Sequence, residues 1–178
     1  MLIKNGIIGS NAKSLCFERK DIDPALFPLL LELVPHPLTL DISNHRLNGE
    51  QLEQLLRCQS VQALKFNFTR IDKRLIQRFL KAYPSLAHLE LNSCEIDDDI
   101  LKELSAGFTS RLKKLYLIDN KITDEGIQNL FEGETIFNNL YLEELYVSFN
   151  KLTSKSIDLL AKQHELKVLH IAKYPVLT

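Results

Sequence analysis

The feature that most constrains this chain is an apolar pattern that recurs along nearly its whole length. The clearest copy occupies residues 142–152 and reads L-x-x-L-x-L-x-x-N-x-L, and residues 112–122 repeat it in residue class. Copies in the same frame begin at residues 12, 37, 61, 86, 112, 142 and 166. Successive copies therefore start 24 to 30 residues apart, a spacing typical of repeat architectures in which each unit packs on its neighbours. We number the eleven positions of each copy as slots 1 to 11.

Each copy combines the periods of two kinds of secondary structure. Slots 4 and 6 alternate with period two, which fits a short strand with one buried face. After slot 11, residues whose side-chain oxygens can cap a helix follow directly: Asn48, Asp72, Asp97, Thr123 and Thr153. Helically spaced apolar residues come next, such as Leu52, Leu55 and Leu56. Each unit is therefore predicted to be a strand, a turn and a helix of about three turns.

This pattern resembles the leucine-rich repeat family, and the length of most units resembles its ribonuclease-inhibitor-like and cysteine-containing subclasses. The resemblance implies an α/β fold: a right-handed solenoid of about seven repeats of 24–30 residues, with a curved parallel sheet on the concave side and helices on the convex side. One such domain is predicted over residues 1–178, with residues 1–11 as a short lead. An ordinary α/β domain with coincidental leucines is the alternative, but it does not explain seven copies in one frame.

The resemblance also implies a role for slot 9, whose side chain bonds the backbone of neighbouring turns in that family. Asn120 and Asn150 carry the residue that does this best, whereas Cys94 is a tolerated substitute. Cys94 is therefore expected to be structural rather than redox-active. Less regular geometry is expected at both ends, where slot 9 holds Lys20, His45 and Tyr174.

Composition excludes several classes of protein. The chain has 22 Lys and Arg against 23 Asp and Glu, a balance that argues against a polybasic nucleic-acid binder. The longest apolar stretch, residues 26–34, is interrupted by Pro28 and Glu32 and is far shorter than the roughly 20 residues that span a bilayer. The N-terminus lacks a signal-peptide core. A cytoplasmic location is predicted, with delivery into a host cell without a cleaved signal as the alternative.

The residues that carry chemistry form no recognisable catalytic or metal-binding motif. The three cysteines include no CxxC pair and are predicted to be reduced thiols, with a reactive thiol as the alternative. The five histidines form no HExxH motif, and no phosphate-binding glycine loop is present. Residues 97–99 are all Asp but lack the spacing and glycine of a calcium loop, so they are interpreted as a helix start. No enzyme activity, metal or cofactor is predicted.

Slots 3, 5, 7 and 8 are expected to leave the concave face of the sheet, and this is where a partner would bind. His88 and Glu90 share one strand face and are predicted to pair, whereas His170 lies about 14 Å away at about 4.8 Å per strand. Aromatic anchors among charged residues are typical of interface hot spots. The predicted partner-binding residues are Lys65, Phe68, His88, Glu90, Tyr116, Ile118, Tyr146, Phe149 and His170. The alternative for Phe68 and Phe149 is inward packing at the edge of the sheet.

The predicted function is a non-enzymatic protein–protein interaction scaffold that binds a protein partner on its concave face, without nucleic acid or membrane. One alternative is a bacterial effector-type leucine-rich-repeat protein that acts on host proteins; another is an adaptor that recruits an enzyme. No helix follows the seventh strand to cover it, so a homodimer through the C-terminal repeat is also predicted. The longer fifth unit carries extra residues near 131–141, which either touch a partner or extend a helix.

Overall fold

The computed structural model describes residues 12–17, 26–70, 73–132 and 141–172. Across these ranges, short strands alternate with helices. In chain order the elements are β1 (Ser14–Cys16), α1 (Phe27–Leu33), β2 (Thr39–Asp41), α2 (Gly49–Leu56), β3 (Ala63–Lys65), α3 (Lys73–Ala82), β4 (His88–Glu90), α4 (Asp98–Ser105), β5 (Lys114–Tyr116), α5 (Asp124–Glu132), β6 (Glu144–Tyr146), α6 (Ser154–Leu160) and β7 (Val168–His170).

The strands form one parallel sheet in the order β1 to β7, so every strand pairs with those of the adjacent units. The register aligns equal slots: Leu64 of β3 lies opposite Leu89 of β4, and Leu115 of β5 opposite Leu145 of β6. Consecutive helices from α2 to α6 pack against one another beside the sheet. The predicted α/β solenoid of stacked strand–helix units is therefore confirmed.

The core forms because slot 4 of each strand points toward the helices while slots 3 and 5 point away. Leu40, Leu64, Leu89, Leu115 and Leu145 are all fully buried, whereas the residues on either side of each are only half-buried. Buried leucines, isoleucines and phenylalanines from strands and helices join in one continuous cluster. Burying such a side chain stabilises a fold by about 1.5–3 kcal/mol, which accounts for the abundance of leucine in the chain.

The helices begin where the sequence indicated but are shorter than expected. Asn48 caps α2 by accepting from the N–H of Gln51 at 2.8 Å, and Asp97 and Thr153 likewise cap α4 and α6. Asp72 lies outside the described residues. The helices have seven to ten residues, which is two to nearly three turns rather than about three throughout.

In the central repeats, slot 9 side chains bond the backbone of neighbouring turns. We call this series of bonds the slot 9 ladder and each such side chain a rung. Oδ1 of Asn120 accepts from the backbone N–H groups of Cys94 and Ile96, both at 3.0 Å, and Nδ2 donates to the Leu91 carbonyl at 2.9 Å. Asn150 bonds the backbone of its neighbouring turns in the same way. At Cys94, burial raises the pKa of the thiol to about 11, so the unreactive protonated form prevails. Its Sγ atom also contacts the backbone carbonyl of Phe66 in the preceding repeat at 3.2 Å, so the side chain links neighbouring repeats, as expected of a structural residue.

The N-terminal rung of the ladder differs from the central ones. His45 is buried, and its ring stacks on Phe17 with centroids 5.9 Å apart. Its Nε2 atom has no hydrogen-bond partner among the described residues. The less regular geometry expected at this end is therefore visible at His45, whereas Lys20 and Tyr174 lie outside the described residues.

A second set of hydrogen bonds joins the helix N-termini of the central repeats. Asp98 accepts from both the N–H and the hydroxyl of Thr123, at 2.8 and 2.5 Å, and Asp124 binds Thr153 and Ser156 of the following unit in the same way. From the sequence, Asp98 is expected only to be an acid in the first turn of a helix. Its main contact is instead with the next repeat.

The C-terminal repeat is the least buried part of the described chain. In β7, Val168 and Leu169 are 36% and 37% exposed, although the equivalent leucines of β2 to β6 are fully buried. The homodimer contact expected here remains a prediction. Residues 133–140 of the long fifth unit lie outside the described residues, so its insertion stays untested.

Cys58 and Cys94 are buried thiols, whereas Cys16 is an exposed one. None of the helices in the described ranges could cross a bilayer.

Candidate functional site

Four rings stack in one line across the concave face, and we call them the aromatic column. The centroid distances are 4.9 Å between His88 and Tyr116, 4.1 Å between Tyr116 and Tyr146, and 5.2 Å between Tyr146 and His170. Three of the rings occupy slot 5 of adjacent strands in register, which sets them about one strand spacing apart. His88 occupies slot 3 and leans diagonally toward Tyr116. The column therefore runs from β4 to β7.

A carboxylate anchors the N-terminal end of the column. Glu90 accepts from Nζ of Lys65 at 2.9 Å and from Nδ2 of Asn67 at 2.8 Å. Nε2 of His88 lies 3.0 Å from Oε1 of the same carboxyl group, and the two groups form a salt bridge only when the imidazole is protonated. Burial by itself raises the pKa of Glu90, yet His88, Asn67 and Lys65 together outweigh it and lower the pKa to about 2. Glu90 is therefore ionised at neutral pH.

Tyr116, at the centre of the column, is bound to a carboxylate on the neighbouring strand. The Tyr116 hydroxyl donates to Oε2 of Glu144 at 3.3 Å, and Lys114 pairs with the other oxygen of that carboxyl at 2.8 Å. Burial first, and then Tyr146 and Glu144, raise the pKa of Tyr116. Its phenol therefore keeps its proton and acts as a hydrogen-bond donor at neutral pH.

The predicted phenylalanines lie on turns rather than on strands. Phe68 and Phe149 occupy slot 8, where the backbone is left-handed with φ of 57° and 59°, as it is at the other described slot 8 positions Asn44, Ser93 and Asp119. Phe68 is 66% exposed, whereas Phe149 and Ile118 are half-buried. Inward packing is therefore wrong for Phe68. Asn and Asp adopt this left-handed backbone more readily than Phe, so Phe68 and Phe149 both depart from the residue types that the turn favours.

The structure joins six of the nine predicted residues into one contact chain. Its order is Lys65, Glu90, His88, Tyr116, Tyr146 and His170. Phe68, Ile118 and Phe149 follow the strands and flank this chain at the edge of the sheet. Asn67, Lys114 and Glu144 also belong to the site and are not among the residues predicted from the sequence, although the strand register places all three beside it. Binding by any of these residues remains a prediction.

No three His, Cys, Asp or Glu side chains in the described part of the chain lie close enough together to hold a metal ion. Glu90 pairs with Lys65, and Glu144 accepts from Tyr116 and pairs with Lys114. This arrangement presents ring edges, hydroxyl groups and salt bridges on a firm surface, which suits recognition.

Three segments of the sequence match the family described as leucine-rich repeat: residues 84–105, 111–131 and 138–161. No curated protein sequence matches the chain. The matched segments cover the repeats that carry Cys94, Asn120 and Asn150 in slot 9.

Several solved structures share the fold at low sequence identity. The actin-binding site 2 of leiomodin-1 has a TM-score of 0.50 at 19% identity over 68% of this chain and 77% of that one. An internalin from Listeria monocytogenes has a TM-score of 0.50 at 21% identity over 78% and 35%, and a protein from Bacteroides fragilis has 0.53 at 15% over 84% and 52%. This chain thus spans about a third of the internalin and half of the Bacteroides protein. Such likeness concerns the fold, and the ribonuclease-inhibitor-like subclass remains a prediction.

Proposed function

Taking the leucine-rich-repeat solenoid as the premise, we propose that this chain is a non-enzymatic scaffold that binds a protein partner through the aromatic column. Proteins with this fold generally serve protein–protein interaction. The observation that carries the proposal is the line of four stacked rings on the concave face, at centroid distances of 4.1 to 5.2 Å.

The column is suited to binding because its side chains are already ordered. Each ring is held by stacking on its neighbour, and Tyr116 is also held by Glu144. A partner therefore does not have to immobilise these groups, a cost of about 0.5–1.5 kcal/mol for each flexible side chain. Rings surrounded by charged groups are the usual composition of interface hot spots.

The surrounding charges favour a partner that is selective rather than merely apolar. The Lys65–Glu90 and Lys114–Glu144 pairs border the rings, so both signs of charge are present within one strand of the column. Charges at the rim of an interface set orientation and exclude wrong partners more than they add affinity. The finer roles of host-directed effector and of adaptor are proposals that the identity of the partner would separate.

The test compares capture by the wild-type chain and by the double variant Tyr116→Ala/Tyr146→Ala, with quantitative mass spectrometry followed by titration of the purified partner. We expect the double variant to lose more than about 2 kcal/mol of binding free energy, or roughly 30-fold in affinity. Tyr141→Ala is the matched control, because Tyr141 is an exposed tyrosine outside the column. Urea unfolding of all variants verifies that the fold persists.

A second pair of variants separates the rings from their hydroxyl groups. Tyr116→Phe/Tyr146→Phe keeps the stacked rings and removes both phenol donors, so it should retain more affinity than the alanine pair. Unchanged affinity in the folded alanine pair would remove the column from the binding site and with it the proposed function of this face.

A further inference from the structure

The third repeat concentrates positive charge. Residues 61–85 contain six Lys or Arg and one Asp, a net charge of 6 − 1 = +5, although the whole chain has a net charge of −1. The next repeat, residues 86–111, contains two basic and six acidic residues, a net charge of 2 − 6 = −4. Charge is therefore sorted by repeat rather than mixed evenly.

Much of this positive charge lies along one face of α3 on the convex side. Arg74, Arg78 and Lys81 are spaced four and three residues apart, so they share a helical face. All three are exposed and line a groove of about 660 Å³ between α3 and α4. The groove lies on the opposite side of the sheet from the aromatic column.

The groove has an apolar floor beneath its basic wall. Leu80, Pro84, Ala106 and Gly107 line it, together with Glu103 on the α4 side. Two small residues directly after α4 keep the floor low. A Cβ atom added at Gly107 would lie 3.0 Å from Cδ1 of Leu80, so bulk at this position would press on the floor.

The basic wall is partly fixed in place by the repeat before it. Arg78 contacts Glu53 of α2 at 2.5 Å, so one of the three basic groups is already paired on the α2 side of α3. Glu53 and Glu103 together leave the three basic groups with an excess of one positive charge. Because this excess is small, negative charge alone would bind weakly. A ligand for this groove must therefore place negative groups opposite the basic side chains and apolar groups on the floor.

We propose that the α3–α4 groove is a second docking surface, and that its occupant is an acidic amphipathic helix of a partner protein. The apolar stripe of such a helix would cover the floor formed by Leu80, Pro84 and Ala106. Its carboxylates, four and three residues apart, match the spacing of Arg74, Arg78 and Lys81. This surface goes beyond the concave site and does not depend on it.

The same face of the chain supplies an internal comparison. A groove of about 700 Å³ lies between α5 and α6, but its lining includes four acidic residues, Asp124, Glu125, Glu132 and Asp158, against Lys155 and Lys162. Two grooves of nearly equal size therefore have opposite charge. If shape alone determined docking, both would bind the same helix.

The test titrates the full chain with a labelled synthetic helix of about 16 residues that carries leucines on one face and glutamates on the other. Arg74→Glu/Lys81→Glu should weaken binding at least about tenfold, and salt near 0.3 M should weaken binding to the wild type. Lys155→Glu/Lys162→Glu is the matched control in the acidic groove and should leave the affinity unchanged. Ala106→Gln adds bulk to the floor without charge and should weaken binding about threefold.

Several results would overturn the proposal. One is equal affinity for the wild type and the Arg74→Glu/Lys81→Glu variant; another is equal binding of the same helix with lysine in place of glutamate. Binding of phosphatidylserine vesicles or a single-stranded oligonucleotide, but not of the helix, would assign the basic face to another class of ligand. Self-association in sedimentation that the charge reversal abolishes would assign the basic face to a second copy of the chain.

The Tyr116→Ala/Tyr146→Ala variant should bind the helix with the affinity of the wild type. This result separates the outcome for the groove from the outcome for the concave site.

Discussion

The central repeats and the N-terminal repeats close their turns in different ways. In the centre, Asn120 satisfies two backbone N–H groups and a carbonyl with one side chain, and Asp98 ties the same junction again through Thr123. At the N-terminal side, His45 occupies the equivalent place of Asn120 with a stacked ring and an unpartnered nitrogen among the described residues. Gly49 occupies the equivalent place of Asp98 and has no side chain to offer.

A solenoid with the same buried leucine in each strand can therefore differ in stability from one repeat to the next. The slot 4 leucines are equally buried from β2 to β6, so hydrophobic burial does not distinguish the two regions. The side-chain hydrogen bonds that close the turns do distinguish the two regions. Since stability in a solenoid is approximately a sum of local terms, the junctions around Asn120 should resist local opening better than those around His45.

The largest expected effect is that of Asn120→Ala. It leaves the N–H groups of Cys94 and Ile96 and the carbonyl of Leu91 without a partner in a buried place. We expect the free energy of unfolding to fall by about 3 kcal/mol in urea titration, because each buried unsatisfied group costs about 1–3 kcal/mol and water can reach some of them. A loss below about 1 kcal/mol would contradict the idea that this rung distinguishes the central repeats.

An intermediate effect is expected from paired glycine substitutions in the two regions. A Cβ atom at Gly126 in α5 would collide with the Asp98 carboxylate and lie 2.9 Å from Cγ2 of Ile122, so Asp98 would have to release Thr123. Gly126→Ala should destabilise by about 1–2 kcal/mol despite the better helix propensity of alanine.

The matched substitution is Gly49→Ala, where nothing lies within 4 Å of the added Cβ atom. It should be neutral or stabilise by up to about 1 kcal/mol. Thermal unfolding of both variants under one buffer condition measures the contrast. Equal effects at the two glycines would mean that the Asp98 rung contributes nothing to the difference between the regions.

The strand–helix frame could be predicted from the sequence because the slots repeat. Seven copies in one frame fix which strands pair and in what register, and capping residues such as Asn48 and Asp97 mark the helix starts. The helices are shorter than the sequence predicts because slot spacing sets the length of a unit and does not divide that unit between helix and turn.

Contacts that cross between repeats were harder to foresee. Asp98 has the residue type of a first-turn acid, and only the stacked structure shows it against Thr123 of the next unit. His88 lies in slot 3, and its ring stacks diagonally on Tyr116 of the next strand. This contact depends on the side-chain rotamer of His88 rather than on the spacing of the repeats. The basic groove likewise needed two neighbouring helices to be seen side by side, although the excess charge of residues 61–85 was visible in the sequence.

The smallest expected effect tests the N-terminal rung directly, through His45→Asn and His45→Ala. Both variants remove the ring that stacks on Phe17 and leave a smaller side chain in a buried place, but only asparagine can bond the backbone as Asn120 does. We expect His45→Ala to lower the free energy of unfolding and His45→Asn to recover that loss, with a net gain of up to about 1 kcal/mol over the wild type. Hydrogen exchange of the amides in slots 9 and 11 of the first repeat, the equivalents of Cys94 and Ile96, should slow in the asparagine variant if the rung forms. If asparagine proved no better than alanine in both measurements, the difference between the two regions would lie in packing around Phe17 and not in the ladder.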